Sequence, residues 1–356
     1  MKARVGIVRD QRFLDHQTGL THPERPARLE AIHRRLDQGL AQRLELVEPV
    51  MASLEMLELV HRPAYIEMVL RTARLGHVHL ASDTPASAGT HRAACLAAGG
   101  CVQALRRLLA GRLDACFALV RPPGHHALPD QAGGFCVFNN LGIAARYGLE
   151  RLGLERILIV DWDIHHGNAL QELFYEDPRA FYFSSHYLDS YPHTGDWEAV
   201  GHGPGRGYTL NLPLPKQMGD DEMIRLYREV LPAVVEGFQP QVIMVAAGFD
   251  AHRDDPLGRG DMTERGFAAL AALVRHLGPE RGVPLLLALE GGYQPAALAE
   301  SVAGVLQVLL DGAEPGLWQE PRGERGAELA ARAREIHRPY GIWCGRRDSA
   351  AGGAGA

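Results

Sequence analysis

Residues 157–168 read ILIVDWDIHHGN, an apolar run that passes directly into a cluster of acidic and imidazole side chains. The four apolar residues 157–160 predict a strand that is buried on both faces, as in a parallel sheet. Along an extended backbone alternate side chains share a face, so Asp161, Asp163 and His165 are expected to point the same way. Three such side chains on one face indicate a metal site.

Strand-like apolar runs alternate with helical patterns along most of the chain, which is typical of an α/β protein with a mainly parallel sheet. The predicted strands are Val5–Val8, Cys116–Val120, Ile157–Val160, Phe181–Ser184, Tyr208–Leu212, Val242–Ala246 and Leu285–Leu289. The predicted helices are Ala94–Leu109, Asp220–Val235, Glu264–His276 and Ala296–Leu310. The sequence shows no internal repeat or interdomain linker, so a single domain is expected.

The composition is that of a globular rather than a disordered protein, because 46% of the 356 residues are hydrophobic and 22% are charged. No run approaches the roughly 18 apolar residues of a membrane span, and the first residues lack the apolar core of a secretion signal. A cytoplasmic protein without membrane contact is therefore expected. The net charge of −6, with no basic cluster, argues against nucleic-acid binding. The cysteines are expected to be reduced core residues: Cys95, Cys101, Cys116, Cys136 and Cys344.

Polar motifs follow three more of the predicted strands, each directly after the strand ends. RPPGHH follows the strand at 116–120, AGFD follows 242–246 and EGGY follows 285–289. The carboxyl ends of parallel strands meet at one edge of the sheet, where ligands and catalytic groups gather. Four segments, with the one at 161–168, are therefore expected to form one site.

These residues resemble the zinc-dependent histone deacetylase superfamily, and the resemblance spans roughly residues 1 to 315. The motifs that carry it are HPERPARL (22–29), RPPGHHA (121–127), GGFCVFNN (133–140), DWDIHHGN (161–168), GFDAHRDDPLG (248–258) and EGGY (290–293). RPPGHHA and Asn168 are similar to the class II branch, which includes bacterial histone deacetylase-like amidohydrolases and acetylpolyamine amidohydrolases.

The resemblance implies a single-domain arginase-deacetylase fold, a mainly parallel central sheet with helices on both faces. Residues 1–315 would form the catalytic domain, and residues 316–349 would be an extension that packs on it. The small-residue tail at 350–356 is expected to be disordered.

By the same resemblance, Asp163, His165 and Asp250 are the ligands of one catalytic zinc ion. Two carboxylates and one imidazole leave a coordination position open for water, as a hydrolytic zinc needs. This oxygen and nitrogen donor set also accepts iron(II), so the metal is less well defined than the site.

The resemblance assigns acid-base roles to His125 and His126, because amide hydrolysis takes a proton from water and gives one to the amine. His126 is expected to carry out both transfers, while His125 acts mainly by electrostatics. Asp161 would orient His125 and Asn168 would orient His126. Because Asn168 carries no charge where other members have Asp, His126 is expected to be less basic.

Tyr293 is the implied donor to the oxyanion, although a tyrosine beside a glycine turn can simply pack in the core. The family's structural potassium site is implied at Asp161, Asp163, His165, Ser184 and Ser185, largely through backbone carbonyls. His186 and His193 are expected to be loop and rim residues rather than metal ligands.

Residues of the narrow substrate tunnel are implied at Gly134, Phe135, Tyr191, Leu257 and Asp83. Phe135 has a core role as its alternative, and Asp83 is equally well explained as a solvated or helix-capping residue. Arg28 either lines the cavity through which acetate leaves or forms a salt bridge.

The implied reaction is hydrolysis of the N-acyl amide of acetyl-lysine to acetate and free amine through metal-activated water. The alternatives are an acetylpolyamine amidohydrolase, a longer-chain deacylase or, in a different class, a non-catalytic acyl-lysine binding module. Polyamine-selective members can carry Glu after the Asp-Pro that follows the last ligand, and this chain has Leu257 there. An arginase-like binuclear enzyme would need further carboxylate ligands. Neither the oligomeric state nor the physiological partner is readable from the sequence.

Overall fold

The computed structural model describes residues 3–313, 316–317 and 322–341. Its strands are β1 Val5–Val8, β2 Glu45–Val47, β3 Val78–Ala81, β4 Thr84–Ala86, β5 Ala115–Ala118, β6 Ile157–Asp161, β7 Ala180–His186, β8 Thr209–Pro213, β9 Val242–Ala247 and β10 Leu285–Leu289. Its α-helices are α1 Ala27–Asp37, α2 Leu54–Leu57, α3 Pro63–Arg71, α4 Thr90–Leu109, α5 Asn140–Arg151, α6 Asn168–Phe174, α7 Asp220–Phe238, α8 Glu264–Leu277, α9 Pro295–Asp311 and α10 Glu324–His337.

Eight strands form one sheet in the order β2-β1-β5-β10-β9-β6-β7-β8, and every neighbouring pair is parallel. The helices pack around it in two groups, one formed by α2 to α6 and the other by α1, α7, α8, α9 and α10. Strands β5, β6, β9 and β10 are buried along their whole length, as expected where helices cover both faces of a parallel sheet. The predicted α/β class with a mainly parallel sheet is confirmed.

The predicted strand boundaries agree with the observed ones to within two residues. The largest differences are at the ends of β5, at Ala118 rather than Val120, and of β7, at His186 rather than Ser184. The edge strand β2 and the separate antiparallel β3–β4 hairpin were not predicted. Both are short and carry polar or exposed residues, so they show no apolar run in the sequence.

Helix α10 packs on α7 through two ion pairs, Arg325–Glu222 at 3.0 Å and Arg334–Glu229 at 2.6 Å. It lies in the segment predicted as a C-terminal extension, whose last part falls outside the described residues, together with Cys344 and the predicted tail at 350–356. The other four cysteines are buried free thiols. Among the described residues no helix combines the length and the apolar character that crossing a bilayer requires.

Candidate active site

The predicted metal ligands come together at the carboxyl ends of β6 and β9. One ligand atom from each of Asp163, His165 and Asp250 lies within 4.8 Å of the other two. The Nδ1 atom of His165 is 2.9 Å from Asp250 Oδ2 and 3.3 Å from Asp163 Oδ1. A Cβ atom at Gly248 or Gly291 would collide with these carboxylates, so glycine is required for the loops to approach so closely.

Backbone amides hold the two carboxylates in place. Gly291 N donates to Asp163 Oδ2 at 2.8 Å and Ile164 N donates to Asp250 Oδ1 at 3.1 Å. Burial, and then the nearby Asp163 carboxylate, raises the pKa of Asp250 to about 7. The carboxylates of Asp163 and Asp250 are buried and repel each other, and a divalent cation bound to both would remove that repulsion. Two carboxylate oxygens and one imidazole nitrogen are ligands that zinc accepts, so the donor set fits zinc.

The histidine pair lies beside this trio, on the turn that follows β5. Nε2 of His125 is 4.0 Å from Asp163 Oδ2, and the ring centroids of His126 and His165 are 6.4 Å apart. The Nδ1 atom of His126 donates to Asn168 Oδ1 at 2.9 Å, because an amide oxygen only accepts. The Nε2 atom of His126 is therefore left with its lone pair free to accept a proton.

The two imidazoles have different electrostatic surroundings. Burial, followed by the charge of His125, lowers the pKa of His126 well below its usual value. Burial alone would also lower the pKa of His125, but the carboxylates of Asp161, Asp163 and Glu290 together raise it to about 10. A cation bound to Asp163 would weaken the effect of that carboxylate on the pKa of His125. The carboxylate of Asp161, which lies 3.2 Å from His125 Nδ1, would still raise it. The arrangement therefore favours a cationic His125 next to a neutral His126.

Tyr293 follows β10 and lies close to the metal ligands. Burial, and then the charges of Asp250 and Asp163, raises the pKa of its hydroxyl well above the usual value, so the phenol stays protonated and acts as a donor. Its ring contacts Phe135 edge to face at 5.6 Å, and the Arg28 guanidinium carbon lies 5.0 Å from the ring centroid.

Three of the predicted tunnel residues, Gly134, Phe135 and Tyr191, lie next to His126 or Tyr293. The Tyr191 ring, 40% exposed, meets the His126 ring edge to face at 4.9 Å, and Phe135 meets Tyr293. A Cβ atom at Gly134 would collide with both His126 and Tyr191. The half-buried Phe135 has φ of 67° and thus lies on a bent backbone segment rather than in the central core.

Asp83 and Leu257 are the two other predicted tunnel residues. Leu257 is 40% exposed. Asp83 Oδ2 accepts from Gly134 N at 3.0 Å and its Oδ1 accepts from the Thr84 hydroxyl at 2.8 Å. Asp83 therefore holds the Gly134–Phe135 segment and does not cap a helix.

Arg28 forms the predicted salt bridge, with Nη1 3.1 Å from Glu24 Oε1. Its other nitrogens donate to the backbone carbonyls of Glu290 and Gly292. The fully buried guanidinium thus fixes the loop that carries Tyr293.

The residues of the predicted potassium site lie at adjacent strand ends, where Asp161 of β6 pairs with Ser184 of β7. The Ser184 hydroxyl is 2.9 Å from His186 Nδ1, and the Ser185 hydroxyl is 2.7 Å from the Tyr227 hydroxyl. His186 is the buried last residue of β7, so its predicted place in a loop or at the rim was wrong.

Three supporting residues were not predicted from the sequence. The Tyr182 hydroxyl donates to Asp161 Oδ2 at 3.0 Å. Glu290 Oε2 accepts from the backbone N–H of Gly124 at 2.7 Å and of His125 at 3.2 Å.

The third residue, Asp255, joins the loops after β9 and β10. Its Oδ2 accepts from Tyr293 N at 2.6 Å and its Oδ1 accepts from Leu257 N at 2.9 Å and Gly258 N at 3.0 Å. The Asp-Pro sequence at 255–256 gave a signal for a side-chain turn, but not for the contact with Tyr293.

Comparisons with known proteins agree with this geometry. The profile of the family described as histone deacetylase domain matches residues 22–309. The chain is 38% identical over 314 residues to a probable deacetylase of Archaeoglobus fulgidus, covering 86% of each protein. It is 37% identical over 301 residues to the histone deacetylase-like amidohydrolase of Pseudomonas aeruginosa, covering 82% of this chain and 79% of that one.

Two further similarities extend the comparison. The human polyamine deacetylase HDAC10 is 40% identical over 307 residues, which are 83% of this chain and 45% of that protein. The crystal structure of the HDA15 HD domain superimposes with a TM-score of 0.88 at 34% identity and covers 95% of each chain. The chain therefore belongs to the histone deacetylase family of hydrolytic deacetylases and amidohydrolases.

Proposed function

We propose that this protein is a zinc-dependent deacetylase that hydrolyses the N-acyl amide of acetyl-lysine, in a protein or peptide, to acetate and a free amine. The main support is the convergence of the Asp163, His165 and Asp250 donor atoms within 4.8 Å, directly beside the His125–His126 pair. Zn²⁺ bound by these three residues, or iron(II) on the same donors, would polarise the amide carbonyl and lower the pKa of a water molecule.

The side chains of the protein supply the proton transfers. His126 accepts a proton from water at Nε2 as the water oxygen attacks the carbonyl carbon, and later donates that proton to the amine nitrogen as the C–N bond breaks. Asn168 holds the ring in the required tautomer. The positive charge of His125 and the Tyr293 hydroxyl stabilise the negative charge that develops on the carbonyl oxygen.

Replacing Tyr293 with Phe tests the oxyanion role. The variant removes only the hydroxyl and keeps the ring contact with Phe135. Loss of one donor to the oxyanion is expected to lower kcat about 10²–10³-fold with little change in KM. Steady-state kinetics on an acetyl-lysine peptide measure both constants. A wild-type kcat in the variant would show that Tyr293 only packs in the core.

Replacing Asn168 with Asp tests the proton acceptor. A carboxylate beside His126 Nδ1 raises the pKa of the imidazole, by about one pH unit or more at this distance. Because His126 must be neutral to accept a proton, the acidic limb of the kcat/KM profile is expected to move to higher pH. The variant then loses activity at a pH at which the wild type still works. An unchanged acidic limb would assign the proton transfer to another group.

A specific observation supports acetyl-lysine over acetylpolyamine, namely the exposed, uncharged Leu257 at the position where polyamine-selective relatives can carry Glu. The polyamine deacetylase HDAC10 is nevertheless 40% identical, which makes acetylpolyamines the second candidate substrate class. Amides with longer acyl chains are the third candidate substrate class for the same catalytic groups.

The substrate is tested by comparing an acetyl-lysine peptide with N-acetylputrescine and N-acetylspermidine, in the wild type and in Leu257→Glu. We expect the wild type to prefer the peptide. A carboxylate at this exposed position should lower KM for the polyamines a few-fold, as surface ion pairs do. Leu257→Gln is the matched control, with the same length and no charge. Wild-type preference for the polyamines would make the protein an acetylpolyamine amidohydrolase.

Two further properties complete the proposal. A structural K⁺ is proposed at Asp161, Asp163, His165, Ser184 and Ser185, where oxygen donors suit a hard cation. Action in the cytoplasm is proposed from the sequence pattern alone.

A further inference from the structure

A second group of ligand-type side chains lies next to the proposed zinc site. One ligand atom from each of His125, Cys136 and Glu290 lies within 4.8 Å of the other two. All three residues are buried, with exposures of 3% for His125 and 0% for Cys136 and Glu290. This second group shares no residue with the Asp163, His165 and Asp250 trio.

One carboxylate oxygen of this group has no partner. Glu290 Oε2 accepts both backbone hydrogen bonds, from Gly124 and His125. Glu290 Oε1 is buried and has no hydrogen-bond partner among the described residues. A buried carboxylate oxygen without a hydrogen-bond partner is unfavourable, so Glu290 Oε1 is a candidate metal donor.

The chemistry of the group differs from that of the first site. It offers a sulfur, a nitrogen and an oxygen, whereas Asp163, His165 and Asp250 offer only oxygen and nitrogen. Thiolate with imidazole selects Zn²⁺ and similar thiophilic ions over Mg²⁺ or Ca²⁺. The Cys136 thiol donates a long hydrogen bond, at 3.4 Å, to Gly134 O.

We propose that His125, Cys136 and Glu290 bind a second thiophilic divalent cation, Zn²⁺ when zinc is in excess, and that its binding stops catalysis. The Cys136 thiol and the Nε2 atom of the cationic His125 each release a proton to solvent as the metal–sulfur and metal–nitrogen bonds form. His125 Nδ1 already binds Asp161, so Nε2 is the nitrogen left for the metal. The inhibitory part rests on the proposed role of His125, since a metal on this ring removes it from the reaction.

Cobalt distinguishes the two sites by absorption. Co²⁺ bound to thiolate gives a sulfur-to-metal charge-transfer band in the near ultraviolet, which oxygen and nitrogen donors do not give. Titration of the purified, metal-free protein with Co²⁺ is expected to show two equivalents, with this band present for one of them. Cys136→Ser is expected to abolish the band and keep one equivalent. Cys95→Ser, another buried cysteine, is the matched control and should keep both.

Inhibition is measured in the same variants with Zn²⁺. Excess Zn²⁺ should lower kcat of the wild type and of Cys95→Ser, and Cys136→Ser should need at least about tenfold more Zn²⁺ for the same inhibition. Absence of the near-ultraviolet band in the wild type, or its persistence in Cys136→Ser, would overturn the proposal.

A second variant covers the case in which Cys136→Ser does not fold. Glu290→Gln keeps the acceptor for the two backbone amides but removes the charge, and should weaken the cobalt equivalent that carries the band. Equal affinity in this variant would also overturn the proposal. If the protein shows the near-ultraviolet band but hydrolyses no acetylated substrate, the proposed function is wrong and the second metal site is supported. If the protein is fully active but shows no band, the second metal site is wrong and the proposed function is supported.

Discussion

Removal of divalent metal is expected to abolish hydrolysis of an acetyl-lysine peptide, and added Zn²⁺ is expected to restore it. The reason is that Asp163, His165 and Asp250 bring their donor atoms within 4.8 Å of one another, and the proposed hydrolysis needs a cation bound there to polarise the carbonyl. The measurement is peptide turnover after dialysis against a chelator, together with the metal content of the protein. Full turnover in protein that contains no divalent metal would contradict the proposed function.

The control for this experiment is Asp250→Asn. It keeps the size of the side chain and an oxygen for the Ile164 amide, but removes one negative charge from the donor set. We expect the variant to contain less metal and to remain inactive at Zn²⁺ concentrations that restore the wild type. Excess Zn²⁺ must be avoided in both proteins, because the second site proposed above would mask recovery.

Replacement of His126 by Ala is expected to lower kcat about 10²–10⁴-fold, since a positioned general acid-base group contributes this much. KM should change little, because the proposed role of His126 is proton transfer rather than substrate binding. The metal content should stay at the wild-type value, since His126 is not part of the ligand trio. Kinetics and metal analysis on the same sample measure all three quantities.

His202→Ala is the matched control for this variant, because His202 carries a side chain that is 74% exposed. It should keep the wild-type kcat. A decrease of less than tenfold in His126→Ala would transfer the acid-base role to His125, and a loss of metal would show that His126 acts through the metal site.

Much of the fold was predictable because the strands of a buried parallel sheet are continuous apolar runs. β1 and β10 were predicted with their observed bounds, and the ligands after β6 and β9 follow such runs directly. Side-chain roles such as those of His126 and Tyr293 came from resemblance to a family rather than from these patterns.

The supporting contacts were not predictable because they depend on the order of the strands. Glu290 reaches the amide of His125 across 165 positions of sequence, and Gly291 reaches Asp163 across 128. An apolar run specifies that a strand is buried, but not which strand lies beside it. The role of Tyr182 was not predictable either, because the sequence does not distinguish an aromatic strand residue that hydrogen-bonds a site residue from one that only packs in the core.

The position of β10 in the sheet has a consequence for the folding of this protein. Of the strands in the described part of the chain it is the last to be synthesised, yet it lies between β5 and β9, near the centre of the sheet. Until residue 289 has been made, β5 has no neighbour on that side and the two halves of the sheet cannot join. Contacts between such distant segments form slowly. The nascent chain therefore exposes apolar strand edges for most of its synthesis, which makes early chaperone binding an advantage for this protein.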